Sequence, residues 1–395
     1  MLINALVGCG VAAGFPQFSM TITALSEKSG IAPGVLMTGD TVKSAAIVFA
    51  MLLSGFAYNR FGARKVFIFS LLTSALPQFF IPHAGSIFAF MAFKVIQGLS
   101  AMIFPVFLVI ILRWMEEKNA GLSTAVFNSI FFAGGGLGGT MAGFLIAGHG
   151  WLASYYALGA VQLFTGLLWL CTVKEAPPGE RAESSEGVGR EGVAKEVIAS
   201  PVLWLLALSF FATMWGVQAI TVDWALFGEW LGYDALALSK IMSAVTLGIA
   251  SSCILSGKTS DFFAKAAAKK SLARVAVLMA GHALTLASVC FLLFADLGNF
   301  TLFYAATFLF TFSVSWGLGA FYCILPEIYD ARTVPLATGF TGGLADMGMP
   351  AAPMVVGVFF GLRGLWGLGW ASCAAAAAIS FLAGLSLLVI LRGRS

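Results

Sequence analysis

The feature that most limits this chain is a recurrence of apolar runs of about 20 residues with hardly a charge inside them, the length a helix needs to cross a ~30 Å hydrocarbon layer. Six such runs, bounded by charges or turn residues, fall at roughly 2–25, 41–58, 65–82, 87–112, 121–147 and 151–172. Six more fall at roughly 202–226, 236–256, 275–295, 300–324, 335–361 and 367–391. No soluble fold of 395 residues could bury a sequence that is 59% apolar and 10% charged, against about 45–50% and about 25% in ordinary globular domains. The pattern predicts an all-α polytopic membrane protein with twelve transmembrane helices. It excludes collagenous and disordered chains, and a net charge of +4 is too small and too dispersed for a nucleic-acid surface.

Between the sixth and seventh runs, Lys174 to Val197 holds ten of the forty charged residues and a Pro-Pro-Gly turn, the composition of a solvated linker. It divides the chain into an N-terminal half at 1–173, a linker at 174–199 and a C-terminal half at 200–395. If helix 1 starts inside, seventeen of the 22 Lys and Arg residues lie on the inner side, where basic residues are retained. Both termini and the linker are therefore expected in the cytoplasm, with the helices in the cell membrane. Met1 opens directly on the first run, without the basic leader of a cleaved signal peptide. The segment Leu53-Ser54-Gly55-Phe56-Ala57-Tyr58-Asn59-Arg60-Phe61 recurs as Leu255-Ser256-Gly257-Lys258-Thr259-Ser260-Asp261-Phe262-Phe263, 202 residues on. The halves are thus expected to be pseudo-symmetric six-helix repeats, an organisation that places a substrate site between them near the bilayer midplane.

The stretch from Gly55 to Lys65 resembles the loop motif of the major facilitator superfamily, G-x-x-x-(D/N)-R-x-G-x-(R/K)-(R/K). The resemblance implies that superfamily's fold, secondary transport, and a gating role for Gly55, Asn59, Arg60, Gly62 and Arg64, with Gly257 and Asp261 in the second copy. Asn59 stands where most members carry Asp. Lys94-Val-Ile-Gln97-Gly98 resembles the R-x-x-Q-G pattern of helix 4, whose basic residue is implicated in charge coupling in proton-coupled members; here it is a Lys, which can lose its proton where Arg cannot. Helix 5, with Gly134 to Gly143, lacks the proline of drug/proton antiporters. Phe127-Asn128 and Gly150-Trp151 resemble the superfamily's organic-anion carriers, of anion/cation symporter, oxalate/formate and cyanate type. In the superfamily helices 1, 4, 7 and 10 line a central cavity, which implies Gln17, Lys94, Gln97, Trp215, Gln218, Ser313 and Trp316 as wall residues, with Asn128 on helix 5 a further candidate for substrate contact. For Gln17, Asn128, Trp215, Gln218 and Trp316, packing between helices is an equally good account.

An ionisable side chain at a helix centre costs about 2.5–3.5 kcal/mol on insertion scales, so each one needs a partner or a wet cavity. Lys94, ~10 Å from the outer end of helix 4, and Asp346, ~16 Å from the inner end of helix 11, are the deep ones. Lys43 and Asp223 fall at outer helix ends, where snorkelling and a gate salt bridge are both open. Small and polar residues share one face with Asp346 (Gly339, Gly343, Pro350) and with Gln17 (Gly10, Gly14, Thr21), which suits a face turned away from lipid. The resulting expectation is a carrier of a small organic anion, held at Lys94, with a proton on Asp346 releasing Lys94 for symport or exchange. A proton-coupled exporter of cationic or amphipathic compounds using Asp346, and a non-transporting membrane receptor, remain alternatives. There is no P-loop, HExxH or paired Cys/His spacing, so no enzyme, cofactor or metal is expected. The six Cys read as buried apolar residues and His282 as a neutral hydrogen-bonded side chain between helices. The expected partners are a small molecule, a proton or counter-solute and the lipid bilayer, around a monomer.

Overall fold

The structure is a computed structural model in which Asn4, Val7, Gly8, Gly10 and residues 14–114, 120–174, 197–329, 334–361 and 365–393 are described. The linker expected at 174–199 lies outside the described residues from 175 to 196. Helix follows helix, and ten of the described helices are long and apolar enough to cross a membrane. Two shorter or broken ones complete twelve. We number them α1 (Gly14–Ser19 and Ile22–Ser29), α2 (Pro33–Ser54), α3 (Arg60–His83), α4 (Ile87–Leu99, continued by Ile103–Trp114), α5 (Ala120–His149) and α6 (Trp151–Thr172). The second half holds α7 (Pro201–Trp230), α8 (Ala235–Ala266), α9 (Lys270–Phe294), α10 (Phe300–Ala320), α11 (Val334–Ala345 and Gly348–Gly361) and α12 (Trp366–Gly393). The end of the bundle carrying Thr172 and Pro201 is called the linker side below.

Local chemistry accounts for the ends and the breaks. Pro33 starts α2 in the first helical turn, where its missing N–H leaves no hydrogen bond unmade. Ser86 Oγ accepts the Ala89 N–H at 3.2 Å to cap α4, and the Asn299 side chain accepts from Thr301 and Leu302 to cap α10. That cap gives Asn299 a structural duty at the start of α10. Within the helical stretch Pro33–Phe80 that holds α2 and α3, Gly62 near the start of α3 breaks the helix with φ 78° and ψ 164°, a conformation open essentially to glycine alone. α1 breaks at Met20–Thr21, where Thr21 Oγ1 donates to the carbonyls of Gln17 and Phe18. α4 tightens into a 3₁₀ turn at Ser100–Met102, and α11 breaks around Asp346.

Three boundaries differ from the sequence expectation, and each difference moves a charge. α2 begins at Pro33 rather than 41, so Asp40 and Lys43 lie inside it. α7 runs to Trp230, placing Asp223 two turns from its end. α8 continues to Ala266, so Gly257 and Asp261 are helical rather than in a loop.

The two six-helix halves meet along two seams. In one, Ser129 Oγ of α5 donates to Ala250 O of α8 at 3.2 Å, and Thr140 and Ser239 each donate to the other's carbonyl oxygen at 3.3 and 3.2 Å. In the other, α2 faces α11: a Cβ at Gly343 would stand 2.7 Å from Leu52, and one at Gly357 would stand 3.5 Å from Met37. These contacts occupy both ends of both seams, so the halves are closed toward each other on both sides.

Within the first half, Gly98 lets α4 lie against α2, since a Cβ there would collide with the Lys43 carbonyl and stand 2.6 Å from Ala46. Gly98→Val is expected to lower the thermal stability of detergent-purified protein by on the order of 1–3 kcal/mol through overpacking. An unchanged unfolding temperature would show that this helix pair has room to separate.

Candidate functional site

Seven residues separate Asp40 from Pro33, Lys94 from Ile87 and Asp223 from Trp230. At 1.5 Å per residue, all three therefore lie ~10 Å below the bundle end opposite the linker. Depth and packing bring them into one buried cluster. Lys94 Nζ donates to Asp40 Oδ1 at 2.7 Å, and the two side chains are 1% and 0% exposed. The same ammonium sits 3.2 Å from the centre of the Phe18 ring of α1 and 5.7 Å from that of Phe90, a cation–π arrangement that replaces part of its lost hydration.

Lys43, one turn beyond Asp40, extends the cluster toward Gly14 of α1. A Cβ at Gly14 would stand 2.9 Å from Gln78 Nε2, 3.8 Å from Gln97 Nε2 and 3.9 Å from Lys43 Nζ. The Lys43 ammonium and two carboxamides thus converge on a bare stretch of helix one turn from Phe18, which holds the Lys94 ammonium, a donor-rich surface suited to an oxyanion. Gln218 of α7 reaches the same region from the other half, donating to Ser44 Oγ at 3.3 Å. Asp223 is 1% exposed, both of its carboxylate oxygens are without a hydrogen-bond partner among the described residues, and Asp40 acts on it electrostatically.

The other residues singled out from the sequence divide between this cluster and ordinary packing. Gln97 belongs to the cluster. Gln17 lies on the same face of α1 but hydrogen-bonds within its half, to Ser154 Oγ of α6 at 3.4 Å. Asn128 donates to Leu318 O at 3.1 Å, joining α5 to α10 across the seam. Trp215 packs on Phe211 and against Gly348 of α11. Trp316 faces away from the halves' interface: its indole N–H donates to Val277 O of α9 at 2.9 Å, so the wall position implied by the resemblance is corrected to packing between α9 and α10. Ser313 likewise bonds Ser288 of α9 at 2.7 Å. His282 Nε2 lies 2.7 Å from Ser209 O of α7, between helices as expected.

Asp346 stands on α11, apart from the helix pair that carries the Lys94 ion pair. It is buried at the break of α11, with Tyr322 in its field, and no ion pair joins it to Lys94 among the described residues. The counter-ion of Lys94 is Asp40. A loop assignment hid Asp40 from the sequence reading, although Pro33 is a helix-start signal and Asp40 and Lys43, three apart, share a helix face.

The gating residues lie on the linker side. Gly62 makes the break described above, Arg64 is exposed, and Arg60 is exposed with its guanidinium 5.6 Å from the Phe61 ring centre. Gly55 is helical, and the side chain of Asn59 lies outside the described residues. In the second copy Gly257 packs against Ala125 of α5, where a Cβ would stand 2.8 Å from the Ala125 Cβ. Asp261 bonds Arg274 of α9 at 2.8 Å, and Arg274 also bonds Glu327 at 2.7 Å, tying α8 and α9 to the turn after α10. The sequence gives no local signal for this triad, because its three members come from separate helices.

A Lys–Asp pair this dry is stable only while both partners remain. Lys94→Ala or Asp40→Ala alone is expected to destabilise the protein by about 3–5 kcal/mol, by stranding the other charge. The Asp40→Asn/Lys94→Gln double variant should recover much of that loss, giving strong non-additivity in thermal unfolding. Additive losses would mean that the two charges are solvated independently.

Comparison with known proteins places this arrangement in context. The sequence profile described as Major Facilitator Superfamily matches residues 1–271. The probable sulfoacetate transporter SauU of Cupriavidus necator is 24% identical over 368 residues, covering 87% of this chain and 82% of that protein. The membrane sensor protein UhpC of Salmonella typhimurium is 23% identical over 349 residues, covering 80% and 76%. Among solved structures, a D-xylose–proton symporter superposes with a TM-score of 0.74 at 15% identity, covering 98% of this chain and 96% of the other.

Proposed function

The chain belongs to the major facilitator superfamily, and from that membership we propose that it is a secondary active carrier of a small organic anion, working by alternating access. The observation that carries this reading is the pair of buried lysines on neighbouring turns of α1, Lys94 at Phe18 and Lys43 with Gln78 and Gln97 at Gly14. Fixed positive charge with amide donors, at the meeting of the halves, is what a carboxylate or sulfonate requires. The relative in Cupriavidus necator, whose name describes a probable sulfoacetate transporter, supports the same substrate class.

In this mechanism Asp40 is the internal stand-in for substrate. It neutralises Lys94 while the site is empty, and an entering anion competes with it for the ammonium. Differential affinity of this kind is what shifts a two-state protein between its forms. The cycle runs as proton symport or as anion exchange. The linker side, rich in Lys and Arg, faces the cytoplasm with both termini, the halves are 1–173 and 200–395 joined by the linker, and the carrier works as a monomer in the cell membrane.

Uptake of labelled mono- and dicarboxylates, sulfonates, neutral solutes and cations into liposomes tests the proposal. Anionic solutes should be taken up, and Lys94→Ala should cut that uptake about 100-fold, the loss expected for a buried charge-assisted contact. Asp40→Asn should lower KM and kcat together, about 10-fold each, because the competitor for Lys94 is gone and release slows. Asp346→Asn, which removes no ion pair of Lys94 among the described residues, should leave KM unchanged. Uptake of cations with rejection of anions would sink the assignment.

A second reading is favoured by the similarity to the membrane sensor UhpC: a receptor that binds the anion without carrying it. Saturable binding to purified protein, with no accumulation or exchange of the same solute in liposomes, would select it.

A further inference from the structure

Asp223 has no part in holding the anion, yet it is the most exceptional carboxyl in the bundle. It comes from the second half, is 1% exposed, lies two turns inside α7, and neither of its oxygens has a hydrogen-bond partner among the described residues. The charged side chain that acts on it is Asp40, whose Oδ1 is committed to Lys94 and whose Oδ2 is itself unpartnered. α7 meets α2 beside both carboxyls, since Gln218, five residues before Asp223, donates to Ser44, four residues after Asp40, and like charges buried together in so low a dielectric repel.

The remaining titratable neighbours do not relieve it. Lys94 is bonded to Asp40, Lys43 stands one turn along α2 from Asp40, and Cys373 of α12 is in the field of Asp223. Tyr155 of α6 is in the field of Asp40. Asp346 of α11 lies near Gly348, which packs at the level of Trp215, eight residues back along α7. Glu229, six residues further along α7 and half-buried, is another acid. A lone ionised carboxylate without a cation or a donor is not stable in such a place.

We propose that Asp223 carries the proton of the transport cycle: its carboxyl takes up a proton from water on the side opposite the linker, and only then can α7 close against α2. The proton bonds to one Asp223 oxygen, leaving the Lys94–Asp40 pair ionised. It returns to water on whichever side next opens the seam. This inference deepens the proton-symport form of the proposed function and rests on it for its place in the cycle, but the closure itself requires no substrate.

The test measures that closure directly. Spin labels are placed at Gly34→Cys, exposed near the start of α2, and Leu236→Cys, exposed near the start of α8, in a background with the exposed Cys171 and Cys290 replaced by Ser. Distances are read in substrate-free liposomes at mildly acidic and mildly alkaline pH. The parent protein should show a short distance at acidic pH and a shift to longer distances at alkaline pH. Asp223→Asn, which imitates the protonated acid, should stay short at both, and Asp223→Glu, which keeps a titratable group, should retain the shift. A parent protein with no pH-dependent change overturns the proposal whether or not the variants fold. So does an Asp223→Asn variant with the parental shift. A panel in which no anion is carried while the pH-dependent closure persists would remove the anion reading and leave the proton on Asp223 standing.

Discussion

The ion pair between Lys94 and Asp40 is the constraint around which the first half is arranged. A charge enclosed by hydrocarbon and protein cannot be left alone, so each partner dictates its surroundings. α2 must start early enough to carry Asp40 to the depth of Lys94, and Pro33 sets that start. α4 must approach α2 closely enough for a 2.7 Å contact, which Gly98 allows by presenting no side chain to the Lys43 carbonyl. α1 must offer a face that neither fills the site nor wastes the ammonium, and Gly14 and Phe18 supply space and a π surface. Three helices are therefore held in register by one electrostatic requirement, while the apolar cores of Phe67, Phe107 and Trp169 on the linker side fix their other ends.

The seams between the halves use a different currency of contact. Serine and threonine hydroxyls donate to main-chain carbonyls across α5 and α8, and small residues allow close approach along α2 and α11. Each such hydrogen bond is modest in a membrane protein, because the separated state also finds partners. Many weak contacts close the halves without locking them. The strong interactions, Lys94–Asp40 on one side and Arg274 with Asp261 and Glu327 on the linker side, lie within a half. That division suits rigid bodies that rock against each other.

Twelve helices, the two halves and the superfamily could all be read from the sequence, because apolar length and the repeated loop motif are local signals. The ends of helices could not be read as well, and the reason is specific. A charged residue normally ends a membrane run, and that rule placed Asp40 in a loop and Asp223 at a helix end. It holds for faces turned to lipid and fails for faces turned to other helices. Asp40 is compensated by a lysine 54 residues away, and no local pattern reports such a distance. Lys94 was visible because it stands in a recognisable motif with nothing else to neutralise it nearby. Its partner became visible only when α2 and α4 were laid side by side, and Asp346, plausible by depth alone, then fell outside the cluster. Trp316 misled for a related reason, since sharing a helix with cavity-lining positions does not fix which face a side chain occupies.

Pseudo-symmetry shows how unevenly the charge is divided. A shift of 202 residues carries Asp40 to Met242 and Lys43 to Val245, both buried and apolar. Seven residues into α10, as Lys94 is into α4, stands Thr307, which accepts the Trp224 indole N–H at 2.8 Å and is neutral. The second half thus has a sealed, uncharged version of the site that the first half keeps polar. The same shift carries Thr21, where α1 breaks, to Asp223. At this depth Asp223 is the charge-bearing group that the second half contributes among the described residues, at the position where the first half has a hydroxyl that satisfies itself on its own helix. With the cationic site in one body and the lone carboxyl in the other, relative motion of the halves changes the distance between Asp223 and the cluster more than it changes distances inside the cluster. The electrostatic energy that responds to rocking is then concentrated in the approach of α7 to α2.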